Sequence, residues 1–390
     1  MRSQKTLILF TYLCGLTMTF SSAFPGYINS TFLENFVGEK WVGLIFAIGA
    51  LLSVILMSQI SKLIKAYGNI KVLVSSAALA IFILILLALA QSVTVIISTF
   101  IIYYCLGFFI RYALDVYLEN ISDDKNTGLI RGFYLTFLNI AWLISPFLAS
   151  RLVVNGDFWK IYVVAAMSLL PLIAIASVFL YEQKDLKYDG QSIFPQLRRL
   201  WRGENQTDRC IRRILAVDFL LCLFYAVMVI YMPLYLHEHL GLPWNELGLV
   251  FTIMLVPFVI LELPLGRIAD RWMGEKEILM GGLVITGLTT SVLAFIPSAS
   301  WLVWAGLLFI TRVGAAGIEV MKEAYLFKKI DGSDTSLISL SRIIVPFSYL
   351  IGPLFVSLIL LFFDFNYVFF FLGLLVLSGL FFTAKLKDTK

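Results

Sequence analysis

Six ionisable side chains lie inside long apolar stretches of the sequence, where an ionised group is costly to bury. A charge in hydrocarbon costs about 2.5–3.5 kcal/mol at a helix centre, so such groups usually face a water-filled cavity or a partner of opposite charge. Side chains of this kind can bind a charged solute or exchange a proton. The six are Arg111, Asp115, Asp218, Glu262, Arg312 and Glu319.

Spacing along a helix predicts which of these groups share a face. Arg111 and Asp115 are four residues apart and can form an ion pair along one helix. Arg312 and Glu319 are seven residues apart and also lie on one face. A carboxylate that alternates between apolar surroundings and a nearby cation takes up and releases a proton. Glu319 or Asp115 could therefore couple solute movement to a proton gradient, with sodium coupling as an alternative.

Most of these charges also have a purely structural interpretation. The first pair could be a static ion pair with no part in binding. Asp218 could be neutralised by Arg212 or Arg213 at the end of its own apolar stretch. Glu262 fits a structural role better, because it adjoins a loop motif described below. The second pair, Arg312 with Glu319, is the stronger functional candidate.

Uncharged polar side chains accompany the charges. Asn139 and Trp142 in one apolar stretch, and Tyr225 and Tyr231 in another, could line a mixed polar and aromatic cavity. The segment His237–His239 holds the only histidines, and two ligands at a helix end do not make a metal site. The sequence carries no Gly-rich phosphate loop, Ser-His-Asp set or metal cluster. We therefore expect neither an enzyme nor a bound cofactor.

The composition requires a lipid environment. Of the 390 residues, 60% are hydrophobic and 14% are charged, whereas about a quarter of a soluble domain is charged. A helix needs about 20 apolar residues to cross a bilayer, and twelve stretches meet that requirement. They are residues 6–28, 41–61, 70–91, 93–118, 128–151, 159–181, 212–236, 245–267, 276–297, 300–326, 335–361 and 364–384.

The positions of Lys and Arg test this span count independently. With the N-terminus on the cytoplasmic side, only Lys40, Arg151 and Lys160 fall on the outer side, and Arg111 and Arg312 fall within spans. Cytoplasmic loops of membrane proteins are enriched in basic residues. We therefore predict an integral protein of the plasma membrane, of the bacterial inner membrane type, with both termini cytoplasmic.

The chain has the pattern of two copies of one six-span unit, offset by about 205 to 208 residues. Pro25 matches Pro233, and Ser145-Pro146 matches Gly352-Pro353. We predict an all-α fold of two pseudo-symmetric six-helix bundles. Their bounds are residues 1–181 and 212–390, joined by a cytoplasmic linker at 182–211.

Within the linker, apolar residues at helical spacing alternate with arginines. This pattern predicts a short amphipathic helix on the inner leaflet, with its cations near anionic lipid headgroups. A plain tether and a regulatory element remain alternatives. The apolar residues are Ile193, Phe194, Leu197, Leu200 and Trp201, and the basic ones are Arg198, Arg199 and Arg202.

The loop between predicted spans 8 and 9 points to a family. Gly266 is followed by Asp270-Arg271 and then by Gly274 with Glu275-Lys276. This loop resembles the cytoplasmic signature of the major facilitator superfamily, with one extra residue between Asp270 and Gly274. Together with the spans, the repeat and the basic linker, the resemblance covers essentially the whole chain. It implies a twelve-helix secondary transporter that moves a small solute by alternating access, with spans 1, 4, 7 and 10 around a central cavity.

The same resemblance assigns a gating role to the two related loops. In the family the acid at the Asp270 position holds the cytoplasmic side closed. We expect it to face residues 126–128, where free N–H groups at a helix start attract a carboxylate. In the first half this position is Lys65, and we hypothesise that Lys65 pairs with Asp331 or Asp334. The gating residues we expect are Lys65, Gly68, Glu262, Gly266, Asp270, Arg271 and Gly274.

Two rival functions remain open. The chain could be a non-transporting receptor or scaffold with the same fold, or a flippase for lipids or lipid-linked oligosaccharides. As partners we expect a small-molecule solute, protons and membrane lipid, with no nucleic acid, and we expect a monomer. Arg111 and Arg312 favour an anionic or zwitterionic solute.

Overall fold

The structure, a computed structural model, describes residues 4–122, 127–153, 156–180, 193–203, 205–271, 273–329 and 335–386. The regular structure in these ranges is helical, which confirms the all-α prediction. Among the described residues, eleven helices are long and apolar enough to cross a membrane, and a shorter apolar segment follows at Tyr367–Thr383. The predicted count of twelve spans therefore stays a prediction.

The chain divides into two compact units, Met1–Gly190 and Gln191–Lys390. The helices of the first unit are α1 (Gln4–Gly26), α2 (Asn29–Val37), α3 (Glu39–Tyr67), α4 (Asn69–Leu89), α5 (Val93–Ile121), α6 (Thr127–Leu152), α7 (Trp159–Met167) and α8 (Leu170–Phe179).

The second unit begins with the linker helix. Its elements are α9 (Ile193–Arg202), α10 (Gln206–Leu234), a π-helical turn (Tyr235–His239), α11 (Trp244–Arg271), α12 (Glu275–Leu293), α13 (Trp301–Lys329), α14 (Thr335–Leu360), α15 (Tyr367–Leu377) and α16 (Gly379–Thr383).

The surface of the helices is apolar where a membrane would cover it. On α4, Phe82 is 58% exposed and Leu89 is 72% exposed, whereas Ser76 on the same helix is buried. Apolar groups outside and small polar groups inside are the arrangement expected of helices solvated by lipid. The predicted spans therefore have the surface chemistry of membrane helices.

In the first unit, α1 packs against α5, α6, α7 and α8. A glycine on α1 makes close packing against α6 possible, because a Cβ at Gly15 would lie 2.9 Å from Cζ of Tyr134. The Tyr12 hydroxyl donates a hydrogen bond of 2.7 Å to the Ile130 carbonyl. The Tyr103 hydroxyl on α5 donates a bond of 3.2 Å to the Ser21 carbonyl.

In the second unit, α10 has the corresponding place and packs against α13, α14, α15 and α16. The helix α12 packs against both α13 and α15 and meets them through small residues. A Cβ at Gly282 would lie 2.7 Å from the Gly314 carbonyl oxygen, and one at Gly287 would lie 3.0 Å from that of Gly373. Close backbone approach at small residues is how membrane helices associate. These contacts fix α13, which carries most of the charges described next.

Candidate functional site

Two helices of the second unit bring charged side chains together. On α10, Asp218, Cys222 and Tyr225 recur at i, i+4 and i+7 and therefore share one face. On α13, Glu319 and Lys322 are three residues apart. These five side chains and Arg312 of α13 form a contiguous group, which we call the α10–α13 cluster.

An ion pair lies at one end of the cluster. The Lys322 ammonium contacts Oδ1 of Asp218, and the two side chains are 13% and 11% exposed. The Cys222 thiol donates to the same oxygen over 3.4 Å. The partner of Asp218 is thus a lysine of α13. Arg212, one of the two expected partners, instead donates to the carbonyl of Trp201.

A tyrosine joins the two helices at the centre of the cluster. The Tyr225 hydroxyl donates a hydrogen bond of 2.7 Å to Oε2 of Glu319. The ring of Phe258 meets the Tyr225 ring edge-on, with centroids 6.1 Å apart. Glu319 therefore accepts a hydrogen bond from a neutral donor that packing holds in place, whereas Asp218 forms an ion pair.

The other end of the cluster is a buried arginine. Arg312 is 1% exposed, and its guanidinium carbon lies 4.7 Å from the centroid of the Phe224 ring and 5.6 Å from that of Tyr225. Stacking on aromatic faces stabilises a desolvated cation by about 2 kcal/mol. Among the described residues, Nη1 of Arg312 has no hydrogen-bond partner. A buried donor of this kind is costly unless it serves a ligand or a second state.

Of the predicted substrate and coupling residues, the structure brings together Asp218, Tyr225, Arg312 and Glu319. The remaining predicted residues of this group, Arg111, Asp115 and Asn139, belong to the first unit. The Arg111 side chain is exposed, and those of Asp115 and Asn139 are partly buried. Asp115 and Asn139 each have interactions of their own.

Sequence reasoning missed Lys322, Cys222 and Phe224. Lys322 lies near one end of a predicted span, so it is not counted as an intramembrane charge. Its spacing of three residues from Glu319 is the signal that could have identified it, because i and i+3 share a helix face. Phe224 carries no polar group and gives no sequence signal.

Most of the predicted gating residues lie at helix ends, whereas Glu262 and Gly266 lie within α11. Gly68 ends α3 with φ of 94°, a left-handed conformation that favours glycine. Lys65 in the last turn of α3 is exposed and has an interaction of its own. Glu262 is partly buried and also has a partner. Gly266 faces α13, since a Cβ there would lie 4.0 Å from Cγ1 of Val320.

The contacts predicted for the gating acids fall on parts outside the described residues. These are the side chains of Asp270, Arg271 and residues 127–128, together with Asn126, Asp331 and Asp334. The described part of this loop shows a different ion pair. Gly274 precedes α12, and Glu275 in its first turn, 2% exposed, pairs with Lys328 at the end of α13.

The histidines lie in the π-helical turn that follows α10. Nδ1 of His237 lies 2.9 Å from the Leu242 carbonyl oxygen, and the His239 ring packs on Phe365 with centroids 4.6 Å apart. Within the described ranges, no group of three potential metal ligands was found.

Comparison with known proteins assigns the chain to a family. Residues 9–246 and residues 214–390 each match the sequence model of the Major Facilitator Superfamily. The fold is similar to that of the human organic anion transporter MFSD10 (TETRAN), with a TM-score of 0.70, 12% sequence identity, and coverage of 98% of this chain and 100% of that one. No curated protein matches the sequence. The chain belongs to the major facilitator superfamily and is a membrane transporter by that membership.

Proposed function

We propose that this protein is a secondary active transporter that moves a small solute across the cytoplasmic membrane by alternating access and couples the movement to protons. The α10–α13 cluster is the observation that carries the proposal. It brings two acids and two bases together between two helices that are otherwise largely apolar. Charges at that depth cost several kcal/mol and are usually kept for transport of ions or solutes.

Within the cluster, Glu319 is the proton-binding group we propose. Its hydrogen-bond partner, the Tyr225 hydroxyl, is neutral and can turn to accept a bond when the acid is protonated. Protonation of Glu319 therefore breaks no ion pair among the described residues. Protonation of Asp218 would break one, because Lys322 depends on it. The two acids thus have different roles, one exchanging protons and the other holding α10 to α13.

Arg312 is the solute-binding group we propose, and an anion is the solute that fits it. The unpartnered Nη1 can donate to a carboxylate or phosphate oxygen. The aromatic rings beside it favour an anion with an apolar body. The similar human protein is described as an organic anion transporter, and fluorescent organic carboxylates are therefore the first compounds to test.

The test uses purified protein in proteoliposomes with an imposed pH gradient. We expect the gradient to drive uptake of an anion found in a thermal-shift screen, and to drive none into empty liposomes. Glu319→Gln should still equilibrate the anion but should lose the response to the gradient. Glu277→Gln, which removes an exposed acid at the start of α12, should behave like the wild type.

Three results would overturn the proposal at different points. Full gradient-driven uptake by the Glu319→Gln variant would remove Glu319 from proton coupling. Tight binding of a solute without flux in either direction would indicate the receptor function instead. Flux of a fluorescent phospholipid between leaflets, with none of the soluble anion, would indicate a flippase.

A further inference from the structure

The linker helix α9 is fixed to the second unit by a buried acid. Nη2 of Arg199 lies 2.9 Å from Oδ1 of Asp208, in the first turn of α10. Nε of the same arginine donates to Oδ2 over 3.3 Å. Asp208 is 1% exposed, so this two-point contact is shielded from water on the side of the acid. The hydrogen bond from Nε and the close approach of Nη2 together hold this end of α9 against α10.

The turn between the two helices adds further contacts. Gly203 has φ of 59°, in the left-handed region, and its carbonyl accepts a bond of 2.9 Å from Nε of Arg209. Nη1 of Arg212 donates to the Trp201 carbonyl over 3.1 Å, and Leu200 is 3% exposed. The linker helix therefore lies along the first two turns of α10, and it also packs against α14.

The opposite face of α9 is basic and aromatic. Arg198, Trp201 and Arg202 recur at i, i+3 and i+4, so their side chains leave the helix on one side. Trp201 is 75% exposed, more than any other tryptophan among the described residues. Both arginines are exposed as well. We call these three residues the Arg–Trp face.

The depth of the Arg–Trp face follows from the contacts that α9 makes with α10. The basic residues Arg209, Arg212 and Arg213 occupy the first turns of α10, and the apolar part of that helix begins at Ile214. Basic residues at the end of a membrane helix lie at the level of the lipid headgroups. Because α9 contacts these same turns, it lies at headgroup depth too. Tryptophan and arginine side by side at this depth suit an anionic membrane surface.

We infer that the Arg–Trp face binds anionic phospholipids of the cytoplasmic leaflet, and that Arg199 and Asp208 transmit this contact to α10. The inference uses the orientation argued from the basic residues and does not require proton coupling or a particular solute. The arginines contact the phosphate groups, and the indole ring of Trp201 lies at the boundary between headgroups and acyl chains. Since α10 also carries Asp218 and Tyr225, lipid charge acts on the helix that holds the α10–α13 cluster.

The test measures lipid binding to the full-length protein by native mass spectrometry. Phosphatidylglycerol, with a net charge of −1, is titrated into the detergent-solubilised protein, with zwitterionic phosphatidylcholine as reference. We expect Arg198→Gln/Arg202→Gln to weaken retention of phosphatidylglycerol at least about tenfold, since each basic residue near an anionic surface contributes about fivefold and two are removed. Lys62→Gln/Arg267→Gln removes two exposed basic residues elsewhere and should leave retention within about twofold of the wild type.

Three outcomes would overturn the inference. Equal weakening by the control pair would mean that net charge, and not this face, binds the lipid. Equal retention of phosphatidylcholine would exclude recognition of lipid charge. The third outcome concerns hydrogen exchange at α9, which should slow with phosphatidylglycerol in the wild type and not in the Arg198→Gln/Arg202→Gln variant. If soluble glycerol 3-phosphate slows this exchange as strongly as the lipid does, the face is a site for soluble anions and not for lipid.

Discussion

The Tyr225 hydroxyl donates a hydrogen bond of 2.7 Å to Oε2 of Glu319 and so joins α10 to α13 within the second unit. The ring of the same tyrosine lies 5.6 Å from the guanidinium carbon of Arg312. One aromatic side chain thus contacts an acid and a base that are two helical turns apart on α13. We infer that a change of charge at Glu319 alters how Tyr225 holds Arg312. This relationship links the proposed proton-binding group to the proposed solute-binding group without a direct bond between them.

Tyr225→Phe tests that link, because it keeps the ring and removes only the hydroxyl. A hydrogen bond to a charged group contributes about 1.5–3 kcal/mol, so we expect gradient-driven uptake to fall at least about tenfold. The ring contact with Arg312 remains, and anion binding measured by thermal shift should change little. Tyr367→Phe at the start of α15 is the matched control and should leave uptake unchanged. Wild-type uptake by Tyr225→Phe would contradict the link.

The Asp218–Lys322 pair predicts strong coupling between two single substitutions. Asp218→Asn or Lys322→Gln alone leaves one charge in a poorly solvated place, and we expect each to lower the free energy of unfolding by about 3 kcal/mol. The double variant Asp218→Asn/Lys322→Gln carries no unpaired charge and should recover most of that loss. Thermal unfolding of the purified variants in detergent measures the effect. If the double variant is destabilised by the sum of the two single effects, the two side chains act independently, and the ion pair explains neither loss of stability.

Arg312 should separate stability from function. Arg312→Met keeps much of the side-chain volume and removes both the buried charge and the unpartnered Nη1. Replacing a buried ion by an apolar group of similar size is often neutral or stabilising, so we expect an unfolding midpoint equal to or above that of the wild type. Anion uptake should nevertheless be lost. Unchanged uptake by Arg312→Met would show that this arginine does not bind the solute.

The cost of burying charge made much of the cluster predictable from the sequence. Asp218, Arg312 and Glu319 were selected because ionised groups in apolar stretches need a reason to be there, and the structure places them together with Tyr225. Their partners were harder to predict. The nearest basic residues to Asp218 along the chain are Arg212 and Arg213, yet its partner is Lys322, which is 104 residues away.

The reason is that periodicity along one helix identifies a face but not the helix which that face meets. That choice depends on how α10 and α13 rotate about their axes, and the close glycine contacts of α12 influence it.

The breaks inside two predicted spans were missed for a related reason. The sixth is interrupted between Met167 and Leu170, and the twelfth between Leu377 and Gly379, although the sequence stays largely apolar at both places. An apolar run predicts the length of a span but not whether its helix is continuous.

The contact between α12 and α13 gives a prediction in which packing alone is changed. A Cβ at Gly314 would lie 2.6 Å from the Gly282 carbonyl oxygen and 2.8 Å from the Thr286 amide nitrogen. Because both neighbours are backbone atoms, neither can turn aside, and α13 would have to move. We expect Gly314→Ala to lower the free energy of unfolding by about 1–3 kcal/mol or more.

The same displacement shifts Arg312 and Glu319 relative to α10, so Gly314→Ala should also reduce the uptake measured per folded protein. Gly306→Ala on the same helix is the control, because a Cβ there meets nothing within 4 Å. Alanine is also the better helix former by about 1 kcal/mol, so Gly306→Ala should unfold at or above the wild-type temperature. If both variants unfold alike, the close approach at Gly314 does not hold α13 in place, and the position of the cluster must depend on α10 and α11.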